Sequence, residues 1–200
     1  LAQLARFTRG PLAEYHLARN DPGNDLQSGL SPYLHFGHIS PLTIARAVAA
    51  APGVQEGARE AFLEQLLVRR ELTLNMVFHD AAYDRYERLP QWTRATLAKH
   101  ARDRRPYLYD RAGLERADTH DPYWNAAMRE ALRTGVMHGY LRMYWGKKIL
   151  EWSETPEQAF ATALALNNRW FLDGRDPNSY AGVAWCFGRH DRPWPQRPVY

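Results

Sequence analysis

Residues 137–152 read MHGYLRMYWGKKILEW, and residues 172–185 read LDGRDPNSYAGVAW. In the first segment Trp145 and Trp152 are seven residues apart. Seven residues make two helical turns, so both indoles fall on nearly the same helix face, about 10 Å apart along the axis. That spacing suits two ordinary core residues, and it equally suits electron hopping between indoles.

Composition indicates a packed globular protein. The 200 residues are 45% hydrophobic and 12% aromatic, with a net charge of +4 and seven tryptophans. The basic excess is compatible with nucleic acid but does not require it. We expect a cytoplasmic monomer without a membrane segment or signal peptide. Because the chain does not begin with Met, we interpret it as a piece of a longer protein.

Helical periodicity and capping signals cover most of the chain, and no alternating strand pattern is present. The predicted fold is therefore all-α, with a single domain over 1–200 in which 172–200 is largely ordered loop with short helices. Helix starts are predicted at Ser40-Pro41, Asp121-Pro122 and Ser153-Glu154-Thr155-Pro156, and Gly135 is predicted to end a helix.

The longest periodic segment extends from Gln55 to about His79. One helical stripe there is predicted to be buried. Its members are Phe62, Leu66, Leu72, Met76 and Val77.

Familiar catalytic motifs are missing from the sequence. It has no HExxH, GxSxG, GxGxxG or GxxxxGK[ST] motif. The histidines are scattered, so we expect no metal site. Cys186 is the single cysteine, which excludes a disulfide framework and multi-cysteine metal sites, and we interpret it as a small core residue.

Two polar features stand out within the aromatic, helical frame. Arg142 lies on a helix too apolar for full exposure, so its guanidinium needs a partner, and Asp173 could supply one. Asn167 lies near the end of a helix rich in alanine and leucine. Its amide could offer a donor and an acceptor to a heteroaromatic ring, or it could simply cap the helix.

Five segments in order resemble a known family: LSPYLHFGHIS (Leu30 to Ser40), FLEQLLVRREL (Phe62 to Leu72), THDPYWNAAM (Thr119 to Met128), and the two segments quoted above. They are similar to the C-terminal FAD-binding domain of class II cyclobutane pyrimidine dimer photolyases, in the photolyase/cryptochrome superfamily. The resemblance begins near Tyr15 and extends to the last residue. Each motif is weak alone, but five in order are specific.

The resemblance implies a helical domain that binds FAD non-covalently, active as the reduced anion. It also implies repair of pyrimidine dimers in DNA, in which light-excited reduced flavin lends an electron to the dimer and recovers it after the ring opens. The family's N-terminal α/β domain, which can hold an antenna pigment, is expected to be missing from this chain.

By the same resemblance, cofactor-binding positions are carried over. Those near the FAD pyrophosphate are Tyr15, Ser28, Gly29, Leu30 and Ser31. Those near the flavin ring are Arg142 and Asp173 as an ion pair, Asn167 beside flavin N5, and Asp176 and Asn178 in the same loop. Trp145 would lie nearest the flavin, with Trp152 and Trp124 leading outward as a photoreduction chain.

The resemblance also implies residues that contact DNA. Met143 and Trp185 match positions that pack against a flipped dimer, and Arg69 and Arg70 lie on the pocket-lining helix. Candidates for phosphate contact, each equally explained as a solvated arginine, are Arg102, Arg104, Arg105, Arg189, Arg192 and Arg197.

One residue departs from the family pattern. Where the family has a glutamate that hydrogen-bonds the dimer carbonyls, this chain has Gln65, which can donate a hydrogen bond but cannot supply a proton or a carboxylate charge. Two alternatives therefore stay open. One is a cryptochrome-like flavin photoreceptor that photoreduces without repair, and the other is a helical nucleic-acid-binding module without flavin.

Overall fold

The computed structural model describes residues 1–190 and 199. Regular structure in this part of the chain is entirely helical, which confirms the all-α prediction. The chain divides into two compact units, Leu1–His79 and Asp80–Tyr200, and each is described by itself. The assignment of one domain to the whole chain stays a prediction. Of the helices described, none combines the length and the apolar character needed to cross a membrane.

The first unit is built from short helices joined by tight turns. They are α1 (Ala2–Arg9), α2 (Tyr15–Ala18), α3 (Ser31–His35), α4 (Pro41–Ala49), α5 (Glu56–Leu63) and α6 (Arg70–His79), with a 3₁₀ turn at Pro11–Glu14 and π-helical turns at Glu64–Arg69. Ser40 caps α4 as predicted, since its hydroxyl accepts from the Leu42 N–H at 3.2 Å.

The core of the first unit centres on three aromatic rings. Phe7 lies 4.7 Å from Phe62 and 5.8 Å from Tyr15, between ring centroids. All three are buried, and the edge-to-face contacts that Tyr15 makes with both phenylalanines add to the gain from removing their area from water.

The segment from Gln55 to His79 is helical, as predicted, but its phase changes at the π-helical turns. Phe62 and Leu66 are buried, whereas Leu72 is 58% exposed and Met76 and Val77 are half-buried, so the prediction of a single buried stripe was wrong beyond Leu66. A π-helical turn holds more residues than an α-helical one, so a pattern counted at 3.6 residues per turn loses register beyond it.

The second unit contains longer helices. They are α7 (Gln91–Lys99), α8 (Arg111–Glu115), α9 (Pro122–Thr134), α10 (Gly139–Glu151), α11 (Pro156–Trp170) and α12 (Pro177–Cys186), with a 3₁₀ turn at Tyr86–Arg88. Helix α10 contacts α9, α11 and α12, and it therefore occupies the middle of the unit.

The predicted caps of the second unit are confirmed. Asp121 accepts from the N–H groups of Tyr123 and Trp124 at 3.0 Å each, and Thr155 accepts from Gln158 N–H at 3.1 Å. Gly135 ends α9 in the left-handed region, at φ 71°. A Cβ there would lie 2.5 Å from Leu172 Cγ, so both backbone and packing require glycine.

Three tryptophans lie in the core of the second unit. Trp124, Trp145 and Trp152 are 0%, 2% and 1% exposed. The core interpretation of the indoles on α10 is thus confirmed, and it is compatible with a further role in electron transfer.

Candidate functional site

A pocket of about 200 Å³ lies between α10, α11 and α12 of the second unit. It is lined by Gly139, Arg142, Met143, Trp145, Gly146, Ala163, Asn167, Asn178, Ser179, Gly182, Val183 and Cys186. Five residues predicted for the site therefore meet in one pocket: Arg142, Met143, Trp145, Asn167 and Asn178.

Arg142 pairs with Asp173, as predicted, with 2.5 Å between Nη2 and Oδ1. The two side chains are 23% and 15% exposed, so the pair is largely shielded from water. The guanidinium also lies over the Phe171 ring, 4.0 Å from its centroid. Its Nε is buried without a hydrogen-bond partner, and it offers a donor at the pocket wall.

The turn that carries Asp173 is held tightly against the end of α11. A Cβ at Gly174 would lie 2.6 Å from the Asn167 carbonyl oxygen, so only glycine permits this approach. Arg175 adopts a left-handed conformation at φ 68°, which costs a non-glycine residue about 1 kcal/mol. Such backbone strain is typical of turns that position functional side chains.

Asn167 is held by a network of side chains. It is 2% exposed, its Oδ1 accepts from Ser179 Oγ at 2.9 Å, and its Nδ2 donates to Asn168 Oδ1 at 3.0 Å. Asn168 in turn donates to the Tyr180 hydroxyl at 3.1 Å. The Asn167 side chain is thereby oriented toward the pocket, and the simple helix-cap interpretation does not describe it.

The pocket suits a flat heteroaromatic ring. A Cβ built at Gly139 or Gly182 would meet nothing within 4 Å, so these glycines leave open space along the wall. Gly146 instead lets Cys186 approach, since a Cβ there would lie 2.8 Å from its Sγ. A smooth wall with a free Arg142 donor and a fixed amide fits the ring nitrogens and carbonyl oxygens of a flavin.

Burial shifts the pKa values of two residues near the pocket. Burial lowers the pKa of Lys147 to about 8 and raises the pKa of Cys186 to about 11. Cys186 is 4% exposed, which confirms its interpretation as a core residue.

Trp124 connects Trp145 on α10 with Trp152, which directly follows α10. Its ring centroid lies 5.6 Å from that of Trp152, and its Nε1 donates to the backbone carbonyl of Trp145 at 3.2 Å. Trp145 itself packs edge-on against Phe171 and lines the pocket. The three indoles thus form a connected series that begins at the pocket, with Trp124 in its middle.

The other predicted ring contacts, Asp176 and Asn178, lie at the start of α12. Asp176 is its N-cap and accepts from the Asn178 N–H at 2.9 Å. Asp176 therefore fixes the helix whose first turn brings Asn178 and Ser179 to the pocket.

The residues predicted near the pyrophosphate lie in the first unit. Tyr15 is a core residue at 8% exposure, and Leu30 is 2% exposed. Gly29 has φ 63°, and Ser28 Oγ accepts from the Leu30 N–H at 3.3 Å. Ser31 begins α3 and is exposed. Their turn geometry agrees with the predicted turn, while their contact with phosphate stays a prediction.

Gln65, Arg69 and Arg70 also lie in the first unit. Gln65 is half-buried within the π-helical turns, a type of irregularity frequent at functional sites. Arg69 Nε pairs with Glu64 at 3.3 Å, a contact across five residues that π-helical turns favour. Arg70 is half-buried, 3.9 Å from Glu71.

Five of the remaining DNA candidates can be placed in the second unit. Arg102 and Arg104 are exposed, and Arg105 is half-buried and donates to the Leu150 carbonyl at 2.6 Å, so it is not a freely solvated arginine. Trp185 is half-buried, with its ring 5.6 Å from that of His190. Arg189 is half-buried, and its backbone N–H donates to Ala184. Arg192 and Arg197 fall outside the residues that the structure describes.

Sequence reasoning missed two residues of this site. Ser179 orients Asn167, and Phe171 stacks on Arg142. Ser179 could have been found, since it directly follows Asn178, which was itself predicted to lie near the ring. Within residues 1–190 and 199, no cluster of three or more histidine, cysteine or acidic side chains could hold a metal ion.

The curated proteins to which this chain is similar share one name. The chain is 50% identical over 200 residues to a deoxyribodipyrimidine photo-lyase of Methanothermobacter thermautotrophicus, covering 100% of this chain and 44% of that protein. It is 47% identical over 196 residues to one of Oryza sativa subsp. japonica, covering 97% and 39%. A third, of Potorous tridactylus, is 42% identical over 201 residues, covering 100% and 38%. The chain thus spans less than half the length of these curated relatives.

A solved structure shows the same fold. The crystal structure of a bacterial class III photolyase from Agrobacterium tumefaciens superposes with a TM-score of 0.72 at 21% identity, over 94% of this chain and 37% of that one. No protein-family model matches the chain.

Proposed function

We propose that this chain is the FAD-binding part of a class II cyclobutane pyrimidine dimer photolyase, which splits dimers in DNA under light. The observation that carries the proposal is the pocket that unites Arg142, Asn167 and Trp145 on three contacting helices. The homologues named deoxyribodipyrimidine photo-lyase support the same activity.

FAD bound in this pocket would absorb light and exchange single electrons with its surroundings. The chain's own residues would bind and tune it. The Arg142 guanidinium, held by Asp173 and stacked on Phe171, places positive charge beside the ring and favours a reduced, anionic form. The Asn167 amide, held by Ser179, offers a fixed hydrogen-bonding group.

The tryptophan series would restore oxidised cofactor to its working form under light. Trp145 lines the pocket, and Trp124 links it to Trp152 within a water-poor core. Indole is among the few side chains that photoexcited flavin can oxidise, and short gaps favour each hop.

For the DNA side, Met143 at the pocket wall and the half-buried Trp185 are proposed to pack against a flipped dimer. Arg69, Arg70 and Arg189 are proposed to contact the lesion strand. We also propose that the full-length protein carries an α/β domain that can hold an antenna pigment, because the homologues are more than twice as long as this chain.

A dimer-containing oligonucleotide tests this proposal. The chain is loaded with FAD, reduced chemically, and illuminated with the oligonucleotide beside a dark control. We expect light-dependent loss of dimers and a visible flavin spectrum. A flavin-bound protein with no repair above the dark control would contradict the proposal of a repair enzyme.

A second function, a cryptochrome-like photoreceptor, is favoured by one residue, Gln65. Normal photoreduction with intact dimers would select it. Gln65→Glu then locates the cause, because a glutamate at this half-buried position restores the missing acid. Gln65→Leu is the matched control, since it fills similar space without a polar group. A chain that rejects added FAD while binding DNA would instead select the nucleic-acid-binding module.

A further inference from the structure

Trp92 is the most exposed tryptophan in the part of the chain that the structure describes. It lies in the first turn of α7 and is 37% exposed, whereas Trp124, Trp145 and Trp152 are at most 2% exposed. Single exposed apolar side chains are common on protein surfaces, so exposure alone identifies no site. The surroundings of the Trp92 ring therefore decide what it can do.

Three rings form a cluster in the second unit, which we call the aromatic platform: Trp92, His190 and Trp185. The His190 ring lies between the two indoles, with its centroid 5.5 Å from that of Trp92 and 5.6 Å from that of Trp185. Trp185 is half-buried and is one of the positions proposed to pack against a flipped dimer. The platform therefore leads from that proposed contact to the exposed indole.

The segment that carries His190 is tied to α7 beside Trp92. Thr93 Oγ1 donates to the Gly188 carbonyl at 2.9 Å, and this bond is buried. Gly188 has φ 103°, and a Cβ there would lie 2.8 Å from Thr93 Cγ2, so both backbone and packing require glycine. These contacts hold the Trp92 ring against His190. A ring that is already held in place loses little conformational freedom when a ligand stacks on it.

The charges next to the platform suit a polyanion. Arg88 Nε lies 2.9 Å from the Asp80 carboxylate. The hydrogen bond from Arg88 and the positive charge of Arg189 both lower the pKa of Asp80. Two guanidinium groups therefore share one carboxylate beside His190, and a net positive charge remains there. DNA offers phosphates to such a surface and the π faces of its bases to an indole.

We propose that the exposed indole of Trp92 stacks on the nucleobase that flanks the flipped dimer in the lesion strand. This rests on the proposed function, in which Trp185 contacts the dimer and Arg189 contacts the same strand. Flipping a dimer removes two bases from the stack, so each flanking base loses its neighbour on one side. An indole replaces that neighbour without reading the sequence, because every base has a π face.

Binding in the dark tests the stacking. A labelled duplex with one thymine dimer is titrated with the FAD-loaded chain, and fluorescence anisotropy reports the affinity. We expect Trp92→Ala and Trp92→Leu to bind about tenfold more weakly, and Trp92→Phe to recover part of the loss, because stacking needs a ring. Tyr123→Ala is the matched control, since it removes a ring that is 80% exposed outside the platform. An unchanged affinity in Trp92→Ala would overturn the proposal.

Abasic positions locate the base that Trp92 contacts. The duplex is rebuilt without the base on the 5′ or the 3′ side of the dimer, or without the two bases opposite the dimer. We expect the loss caused by Trp92→Ala to disappear when one of the flanking bases is missing, as a double-mutant cycle requires. A loss that persists in every duplex would show that Trp92 acts through packing alone. A loss that disappears only without the opposite bases would assign the contact to the other strand. Either result contradicts the proposal.

Salt dependence distinguishes stacking from contact with phosphate. Trp92→Ala should leave the slope of log K against log salt concentration unchanged, because it removes no phosphate contact. Arg189→Ala should make that slope shallower by about 1. A shallower slope in Trp92→Ala would contradict stacking as the role of the indole.

A ligand without a lesion separates the platform from the proposed function. Single-stranded DNA already presents unstacked bases, so Trp92→Ala should also weaken binding of the chain, with or without FAD, to undamaged oligothymidine. Equal binding by Trp92→Ala and the unaltered chain would overturn the platform, whether or not the chain repairs dimers. A Trp92-dependent affinity without light-dependent repair would contradict the proposed function alone.

Discussion

The indole N–H of Trp124, on α9, donates to the backbone carbonyl of Trp145, on α10, across 3.2 Å. The bond is buried, and it joins two helices that contact each other along the core. Because the Trp124 ring also packs on Trp152, this residue lies between two indoles that share one helix face. The proposed electron path along the core would therefore pass from Trp145 to Trp124 on α9 and then to Trp152 at the end of α10.

Replacing the middle indole should break this path. In Trp124→Phe we expect steady-state photoreduction of bound FAD to fall at least about tenfold, because phenylalanine keeps an aromatic ring in the core but is far harder to oxidise. Repair by chemically reduced protein should persist. Flavin bleaching under light measures the first quantity, and dimer loss measures the second. Loss of both activities would show that Trp124 acts only through packing.

The Arg142–Asp173 pair should matter for stability as well as for the cofactor. Asp173→Asn leaves a largely buried guanidinium without its counter-charge, which we expect to cost about 2 kcal/mol in the free energy of unfolding. Asp25→Asn, at a carboxylate 83% exposed, should change it by less than about 1 kcal/mol. Urea denaturation of both variants gives the comparison, and equal effects would contradict the argument.

The Asp121 cap should make the protein acid-sensitive. Burial alone would raise the pKa of Asp121, but hydrogen bonds from Tyr144 Oη and from the N–H groups of Trp124 and Tyr123 outweigh burial and lower that pKa. The stabilisation is therefore present above the unfolded pKa of about 4 and is lost as pH falls through the lower folded pKa.

Asp121→Asn keeps a capping side chain but removes the charge. We expect its free energy of unfolding to decline less steeply than that of the unaltered chain when pH is lowered below about 4. Tyr144→Phe, which removes one donor, should fall between the two. Denaturation curves over this pH range measure the slopes, and parallel curves for all three proteins would contradict the expectation.

Lys147 should make stability depend on pH in the alkaline range, with the same sign. Its folded pKa is about 8, whereas an unfolded lysine holds its proton to about 10. Between these values the unfolded state binds more protons, so stability should rise with pH by about 1 kcal/mol per unit.

Lys147→Met should remove this rise and stabilise the chain near neutral pH, because a buried ammonium is replaced by an apolar side chain. Lys99→Met, at an exposed position of α7, is the matched control. Denaturation of the flavin-free chain between pH 7 and 10 measures both variants. A rise that persists in Lys147→Met would assign it to another group.

Local chemistry explains how much of the fold could be predicted. Asp121, Thr155 and Gly135 each determine a helix end through their own backbone and side-chain preferences, so their effects are visible in sequence. The exposure of Leu72 was not visible, because π-helical turns arise from tertiary context and have no residue signature in a single chain.

The residues of the candidate site that could be predicted are those whose own chemistry requires a partner. Arg142 and Asp173 were paired correctly because a buried charge needs a counter-charge. The roles of Ser179 and Phe171 and the contact of Trp124 with Trp145 depend on how α9, α10, α11 and α12 are rotated, and no sequence pattern reports such rotations.

Helix α10 presents Arg142 to the pocket and Trp145 to both pocket and core, three positions apart on the same helix. A rotation of α10 would therefore change two things together: the electrostatic field of Arg142 in the pocket, and the distance from Trp145 to the proposed cofactor. The two properties cannot be adjusted independently by changes elsewhere on α10. A design that aims to change the redox properties of the proposed flavin without slowing its photoreduction should therefore substitute residues on α11 or α12, such as Ser179, and leave α10 unchanged.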